Sequence, residues 1–283
     1  MEADINILFE SDFYRILDFK CRCKSCGESD PEYSESFCIS FVRKGNFLFN
    51  VFRQSLDSYN GCVLITKPGY ERTVTHIHTV PDECSIFDFK PGFYEQLREQ
   101  FIHSKFFSDN DLHSTLTKVN ADTEFLHFEI MRLIGSGYCT KLQTDYLVME
   151  LMQTVLKNIT DYQSNDRIND RLKKNHLITI ERAREYMTRN FSRDVSLMEI
   201  AANCYTSPFH FSRLFKTFTG YSPHQFLIGI RLKNAEMLLK NSALPVADAA
   251  FSSGFNSIEH FTTAFKQKYR HPPARFRMEN NRA

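Results

Sequence analysis

Residues 21–26 read Cys21-Arg-Cys23-Lys-Ser-Cys26, three thiols within six positions. Thiolates at this density suit zinc or another soft metal ion, or a thiol redox switch. A tetrahedral zinc site needs a fourth donor, which the local sequence does not provide. Cys38, Cys84, His76 and His78 are the residues that folding can bring to it. Inert thiols are the third alternative. A second constellation, His76-x-His78-x4-Glu83, lies on an expected strand, where alternation puts both histidines on one face. No partner histidine follows Pro68-Gly69, where Glu71 stands instead. Ordinary strand histidines therefore fit better than a catalytic metal centre, and no catalytic residues are expected.

The more specific signal lies at the other end of the chain. A ten-residue pattern occurs twice, 50 positions apart: Ser207-Pro-Phe-His210-Phe211-Ser212-Arg-Leu-Phe215-Lys216 and Ser257-Ile-Glu-His260-Phe261-Thr262-Thr-Ala-Phe265-Lys266. Pro223 with Phe226 and Pro273 with Phe276 continue the echo at the same offset. Such a repeat marks one structural unit duplicated to do one job twice. Ser196-Leu-Met-Glu199 fits a capping box that opens a helix, a break follows at Cys204-Tyr-Thr, and Ser207 with Pro208 fits the start of a second helix. Two short helices around a tight break make a helix-turn-helix. At about 100° per residue, Phe211, Leu214, Phe215 and Phe218 share an inward face of that second helix. Phe209, Ser212, Arg213 and Lys216 share the outward one. The second copy sorts alike, with Phe261, Ala264 and Phe265 inward and Glu259, Thr262, Thr263 and Lys266 outward. Between the copies, Ser222 to Asn241 reads as one helix of about 30 Å, close to the roughly 34 Å rise of one DNA turn.

Charge separates the two ends. Residues 171–283 carry 18 Lys+Arg against 8 Asp+Glu, a net of +10, while residues 1–170 carry 17 against 26, a net of −9. Only the C-terminal part has the balance expected of a partner for a polyanion such as double-stranded DNA. Hydrophobic residues make up 42% and charged residues 24%, which excludes a disordered chain. No window holds the roughly 18 consecutive apolar residues of a membrane span. The acidic start, Met1-Glu-Ala-Asp4, lacks a signal-peptide pattern, so a cytoplasmic protein with its eight cysteines as thiols or metal ligands is expected.

These residues resemble the DNA-binding domain of the AraC/XylS family of bacterial transcription regulators. The first module is carried by Leu197-x-x-Ile200-Ala201, by Ser207-Pro-x-His210-Phe211-Ser-Arg213-Leu214-Phe215-Lys216 and by Thr219-Gly220-Tyr-Ser-Pro223. Arg231-Leu232-x-x-Ala235-x-x-Leu238-Leu239 is similar to the family's linker helix. Ala250, Gly254-Phe255, His260-Phe261, Phe265-Lys266, Pro273 and Phe276 are similar to its second module. The resemblance puts base-reading positions at Phe209, Ser212 and Arg213, and at Ile258, Glu259, Thr262 and Thr263. Thr263 departs from the pattern, because the family commonly has a basic residue there. The resemblance also implies a cupin-like N-terminal sensor with dimerising helices, a homodimer, and RNA polymerase as a partner. Leu64-Ile-Thr-Lys-Pro68-Gly69 is similar to the family's strand-turn signature, and the His76 constellation is similar to a cupin metal motif with altered spacing.

The elements upstream agree with that plan. Phe37–Val42, Phe47–Phe52, Cys62–Thr66, Thr73–His78 and Cys84–Phe89 read as strands separated by turn signals, which suggests a β-sandwich or barrel. Helices are expected over Phe93–Phe101, Glu124–Leu133 and Leu142–Ile159. In the last, Leu142, Tyr146, Met149, Met152, Leu156 and Ile159 form an apolar stripe, equally fit to pack on its own β-domain or on a second subunit. The expected plan is an α+β multidomain protein: a cupin-like sensor over 1–105, a helical dimerisation region over 106–162, a linker over 163–174 and an all-α double helix-turn-helix domain over 175–283. The expected function is a sequence-specific DNA-binding transcription regulator, an activator controlled by a small molecule or metal. A thiol-based redox regulator and a cupin-type metalloenzyme tethered to DNA are the alternatives.

Overall fold

The computed structural model describes residues 3–23, 27–77, 81–159 and 168–280. The chain divides into two compact units, 1–119 with 129–181, and 120–128 with 182–283. The first unit holds β1 (Ala3–Glu10), β2 (Tyr14–Cys21), β3 (Glu32–Ser34), β4 (Phe37–Lys44), β5 (Asn46–Val51), β6 (Gln54–Tyr59), β7 (Cys62–Thr66), β8 (Tyr70–His76), β9 (Glu83–Phe89) and β10 (Ser114–Lys118). These strands form two antiparallel sheets, ordered β1-β2-β9-β4-β7-β10 and β3-β8-β5-β6. Helices α1 (Pro91–Gln100), α2 (Lys105–Ser108), α3 (Ala121–Gly135), α4 (Lys141–Asn158) and α5 (Asp170–Asn190) follow in the chain.

Strand β4 shows why the two sheets and helices form layers. Phe37 to Val42 are all buried, so the strand is covered on both faces. One face carries Phe37, whose ring lies 5.6 Å from Tyr94 of α1 and 6.0 Å from Phe107 of α2. The other carries Val42, which clusters with Phe47, Phe49 and Val51 of β5 in the opposing sheet. In β5 these three alternate with half-buried neighbours, the period-two pattern of a strand with one face in the core.

Several expectations change here. Strands β1 and β2 precede the region read as β, and β10 lies inside the segment 106–162 expected to be helical. Strand β2 escapes a hydrophobicity reading because it carries Arg15 and Asp18. Both are neutralised across strands: Arg15 bonds Asp88 at 2.6 Å, and Asp18 pairs with Arg43. In α4 the buried stripe is Thr144, Leu147, Val148, Leu151, Met152, Val155 and Leu156, whereas Leu142 is 81% exposed and Tyr146 lies at the surface. Asp145 sets this rotation by accepting hydrogen bonds from Ser11 Oγ (2.7 Å) and Tyr14 Oη (2.9 Å). Residues 170–174, expected as linker, are the first turns of α5. There Lys173 is buried, with Nζ 2.7 Å from Asp57 and 2.8 Å from Asp170. The earlier part of that linker, through residue 167, lies outside the described residues.

The second unit is helical: α6 (Leu197–Asn203), α7 (Pro208–Thr219), α8 (Pro223–Asn241), α9 (Val246–Ser252), α10 (Ile258–Tyr269) and α11 (Pro273–Asn280), with 120–128 and 182–190 packed on them. Helix α8 is its mast. Ser222 caps it in a capping box with Gln225. Phe226 meets Phe215 of α7 at 5.4 Å, while Leu232, Ala235 and Leu239 join Phe261 and Phe265 of α10 in one cluster. Gly229 allows residues 120–128 to approach, since a Cβ there would lie 2.5 Å from that of Ala121. Arg231 is buried and donates to the Phe191 carbonyl (2.8 Å) and the Arg193 carbonyl (2.7 Å), just past the end of α5.

Two predictions follow from this packing. Burial raises the Glu236 carboxyl, but Lys233 and Lys240 outweigh it, and the net shift is downward. Lys233 is itself buried, with Nζ 2.9 Å from Glu236. A depressed folded-state value adds stability that is present above the ordinary Glu value of 4.5 and is lost as pH falls through the folded one. Glu236→Gln is expected to cost about 3 kcal/mol in urea unfolding at neutral pH. The difference from wild type should shrink under acid; a constant difference would remove the ion pair from the account. Gly254 has φ +86°, and a Cβ there would come 2.4 Å from the Phe191 carbonyl oxygen. Gly254→Ala is expected to cost at least about 2 kcal/mol in the same assay.

Candidate nucleic-acid interface and interior cavity

Each helix-turn-helix is built twice with the same devices. Ser207 Oγ accepts from the His210 N–H at 3.4 Å at the start of α7, and Ser257 Oγ accepts from the His260 N–H at 3.1 Å at the start of α10. Both helices stop at a left-handed residue, Gly220 at φ 82° and Arg270 at φ 67°. Each turn also holds a left-handed residue, Tyr205 at φ 55° and Gly254 at φ 86°, which are 49 positions apart rather than 50. The second turn therefore contains one extra residue. Helix α8 fastens that turn, because Asn234 Nδ2 donates to Ser253 Oγ at 3.0 Å. The first turn is held from α5, where Tyr186 Oη donates to Glu199 and the Arg182 guanidinium lies 5.5 Å from the Tyr205 ring centroid. Ser196 caps α6 by accepting from the Glu199 N–H at 3.1 Å, while the Glu199 carboxylate turns to Tyr186 instead of closing the capping box.

The inward residues are where the helical spacing puts them. Phe211, Leu214, Phe215, Phe218, Phe261 and Phe265 are buried. On α7 the outward set is Phe209, 80% exposed, with exposed Arg213 and Lys216 and half-buried Ser212. On α10 it is exposed Glu259, Thr263 and Lys266 with half-buried Thr262. Ile258 does not join this set. It is the first residue of α10, is half buried, and packs against the Phe261 cluster. Hydrogen bonds from its own backbone N–H and from Ser257 hold the Glu259 carboxyl below its ordinary value, so α10 presents a carboxylate where α7 presents Phe209.

The family described as "Helix-turn-helix domain" matches residues 200–279. Regulatory protein PocR of Salmonella typhimurium is 27% identical over 57% of this chain and 55% of its own. HTH-type transcriptional regulator MtrA of Neisseria gonorrhoeae is 40% identical over 30% of this chain and 28% of its own. The C-terminal domain of AraT, a response regulator from Geobacillus stearothermophilus, is 32% identical with a TM-score of 0.35 over 36% of this chain and 84% of that one. The C-terminal domain is of the AraC/XylS type. The chain spans about half or less of the length of the curated relatives it matches.

Upstream of the AraC-type domain, the two sheets line an open-mouthed cavity of about 500 Å³. Its wall is largely apolar, with Phe47, Phe49, Leu64 and Ile86, and includes Arg72, Asp88, His76 and Asp82. The expected metal trio is only partly described: Cys26 and His78 lie outside the described residues. Cys21 and Cys23 do come together, and they meet His76. Cys21 Sγ is 4.0 Å from His76 Nδ1, and Cys23 Sγ is 3.9 Å from Nε2. His76 Nδ1 is 2.9 Å from Asp82 Oδ2, and both side chains are buried. Glu83, grouped with His76 by spacing, instead faces Lys44 Nζ at 2.9 Å. Asp82 has no sequence signal of its own. Burial pushes the Asp82 carboxyl up to about 8, the Cys21 thiol to about 11 and the Cys84 thiol to about 12.

Because the outward residues of α7 carry no core packing, interface and stability separate by substitution. Phe209→Ala is expected to change thermal stability by no more than about 0.5 kcal/mol, while Phe211→Ala, fully buried, costs about 3–5 kcal/mol. A large loss from Phe209→Ala in a melting experiment would place that ring in the core.

Proposed function

We propose that this chain is a sequence-specific DNA-binding transcription regulator in which α7 and α10 read the major groove. The observation that carries the reading is the pair of capped, equally built helices. Each buries one face and leaves the other to solvent, within a segment of net charge +10 over residues 171–283, from 18 Lys+Arg and 8 Asp+Glu. Helix α8, at 19 residues, is about 29 Å long, near one DNA turn, and suits a spacer between successive grooves on one side of the duplex. On α7, Arg213 has the geometry to bond a guanine edge twice, Phe209 suits a thymine methyl, and Lys216 suits a phosphate. On α10, Glu259 can accept from a cytosine amino group, and Lys266 serves the backbone. Without an outward arginine, α10 contributes less affinity and reads shape more than bases.

In the same reading the β-domain binds an effector in its cavity and biases the AraC-type domain between DNA-binding states, as differential binding requires. The chain acts as a homodimer and as an activator. Support for a dimer comes from α4, whose Leu142 and Tyr146 stand at the surface after the helix has buried its other face. Light scattering on the full chain against a Leu142→Glu variant tests that arm, with a monomer expected only for the variant.

The DNA arm is tested on a duplex selected by the wild-type chain from a random pool. Arg213→Ala is expected to lose about 5- to 150-fold in affinity, about 1–3 kcal/mol, and to relax selection at one base pair. Lys216→Ala weakens all sequences alike and lowers the salt slope by about one. Unchanged binding by Arg213→Ala, or a base-selective loss from Lys216→Ala, would overturn those roles.

A further inference from the structure

Cys21, Cys23 and His76 lie where one ion can touch all three, with a ligand atom from each within 4.8 Å of the others. Zinc bonds of about 2.3 Å to sulfur and 2.0 Å to nitrogen place tetrahedral donors roughly 3.5–3.8 Å apart. Cys23 Sγ, 3.9 Å from His76 Nε2, needs little closure to reach that spacing, and Cys21 has further to move, within the 4.8 Å that spans the set. The imidazole is also prepared for the task. In the tautomer that donates Nδ1–H to Asp82 Oδ2, 2.9 Å away, Nε2 keeps its lone pair for a cation, the carboxylate–histidine–metal arrangement. Asp82 is itself seated, since the Asn46 N–H bonds its carboxylate. Gly45, at φ +77°, leaves it room: a Cβ there would lie 2.2 Å from Asp82 Oδ1.

The fold delivers these donors from both sheets. Cys21 ends β2 in the six-stranded sheet, and His76 ends β8 in the four-stranded one. The chain after Cys23 returns beside β8, where the Gly27 carbonyl accepts from the His76 N–H (3.0 Å) and the Ser29 N–H donates to Val74 (2.8 Å).

We propose that Cys21, Cys23 and His76 bind a thiolate-preferring cation of the zinc class, with Asp82 as the positioning residue of His76. The ion clips the two sheets together at the cavity wall that His76 and Asp82 line, so its binding and the contents of the cavity are coupled. Binding displaces the thiol protons to solvent and fills three positions, leaving room for a further donor. The inference makes no use of the DNA-binding reading, and each can fail without the other.

The test uses the full chain, reduced, stripped of metal and kept free of oxygen, titrated with Co(II) and then Zn(II). Saturation at a single Co(II) per chain is expected, with thiolate-to-cobalt charge transfer and the visible bands of a tetrahedral site, both bleached by Zn(II). Zn(II) should raise the thermal midpoint. Cys21→Ser, Cys23→Ser and His76→Gln should lose the charge-transfer saturation and the thermal shift. Asp82→Asn should keep the stoichiometry and weaken affinity about 10- to 100-fold. Cys84→Ser, on the cavity wall but outside the set, should bind as wild type. Cys23 is partly exposed, so its variant decides the question even where His76→Gln does not fold. Absence of cobalt bands overturns the proposal. So do bands that survive His76→Gln, or a Cys21–Cys23 disulfide formed by mild oxidant in a chain that takes up no cation.

Discussion

The buried guanidinium of Arg231 is the constraint around which the C-terminal domain is arranged. Taking such a group out of water costs several kcal/mol unless its N–H donors find acceptors. They find the Phe191 and Arg193 carbonyls just past the end of α5, in backbone that no longer makes helical hydrogen bonds. One side chain thereby ties α8 to the segment leading into the first helix-turn-helix. A Cβ at Gly254 would come 3.0 Å from Arg231 Nε, so the turn of the second module closes over the same group and must be glycine there. Both α7 and α10 take their positions from this junction, one through α5 and α6, the other through the turn before α10.

A related logic runs through the β-domain. It buries polar groups where an oily core would be simpler: His76 with Asp82, and the carboxylates of Asp88 and Asp18, met from nearer the surface by Arg15 and Arg43. Such groups add little net stability over well-packed apolar ones, but they penalise any arrangement that separates them. Here they line or flank a cavity of about 500 Å³, ample for a small molecule and lined by both sheets.

The helix-turn-helix pair was legible because its information is local. N-cap serines, inward phenylalanines at helical spacing and prolines at helix starts all act within a few residues, and they recur in two copies. Ile258, put among the base-reading positions by resemblance, is half buried at the start of α10 and packs against the Phe261 cluster, a contact that spacing alone does not show. In α4, spacing offered two overlapping apolar stripes, and the choice fell to hydrogen bonds from Ser11 and Tyr14, more than 130 residues upstream, to Asp145. Strand β2 was hidden for a similar reason, since Arg15 and Asp18 are compensated by Asp88 and Arg43, on strands distant in sequence.

Residue order alone determined the duplicated helix-turn-helix unit, its two faces, the helix between the copies and the separation of charge along the chain. Periodicity and capping are short-range, and charge is additive. Tertiary structure alone decided that two of the clustered cysteines meet His76, that Asp82 orients it, and that Lys173 is buried beside Asp57 rather than free in a linker. Cys21 and His76 are 55 positions apart and are brought together only when β2 and β8, in different sheets, have found their registers. No spacing rule encodes such a meeting, because it depends on how two sheets pack and not on the residues between them.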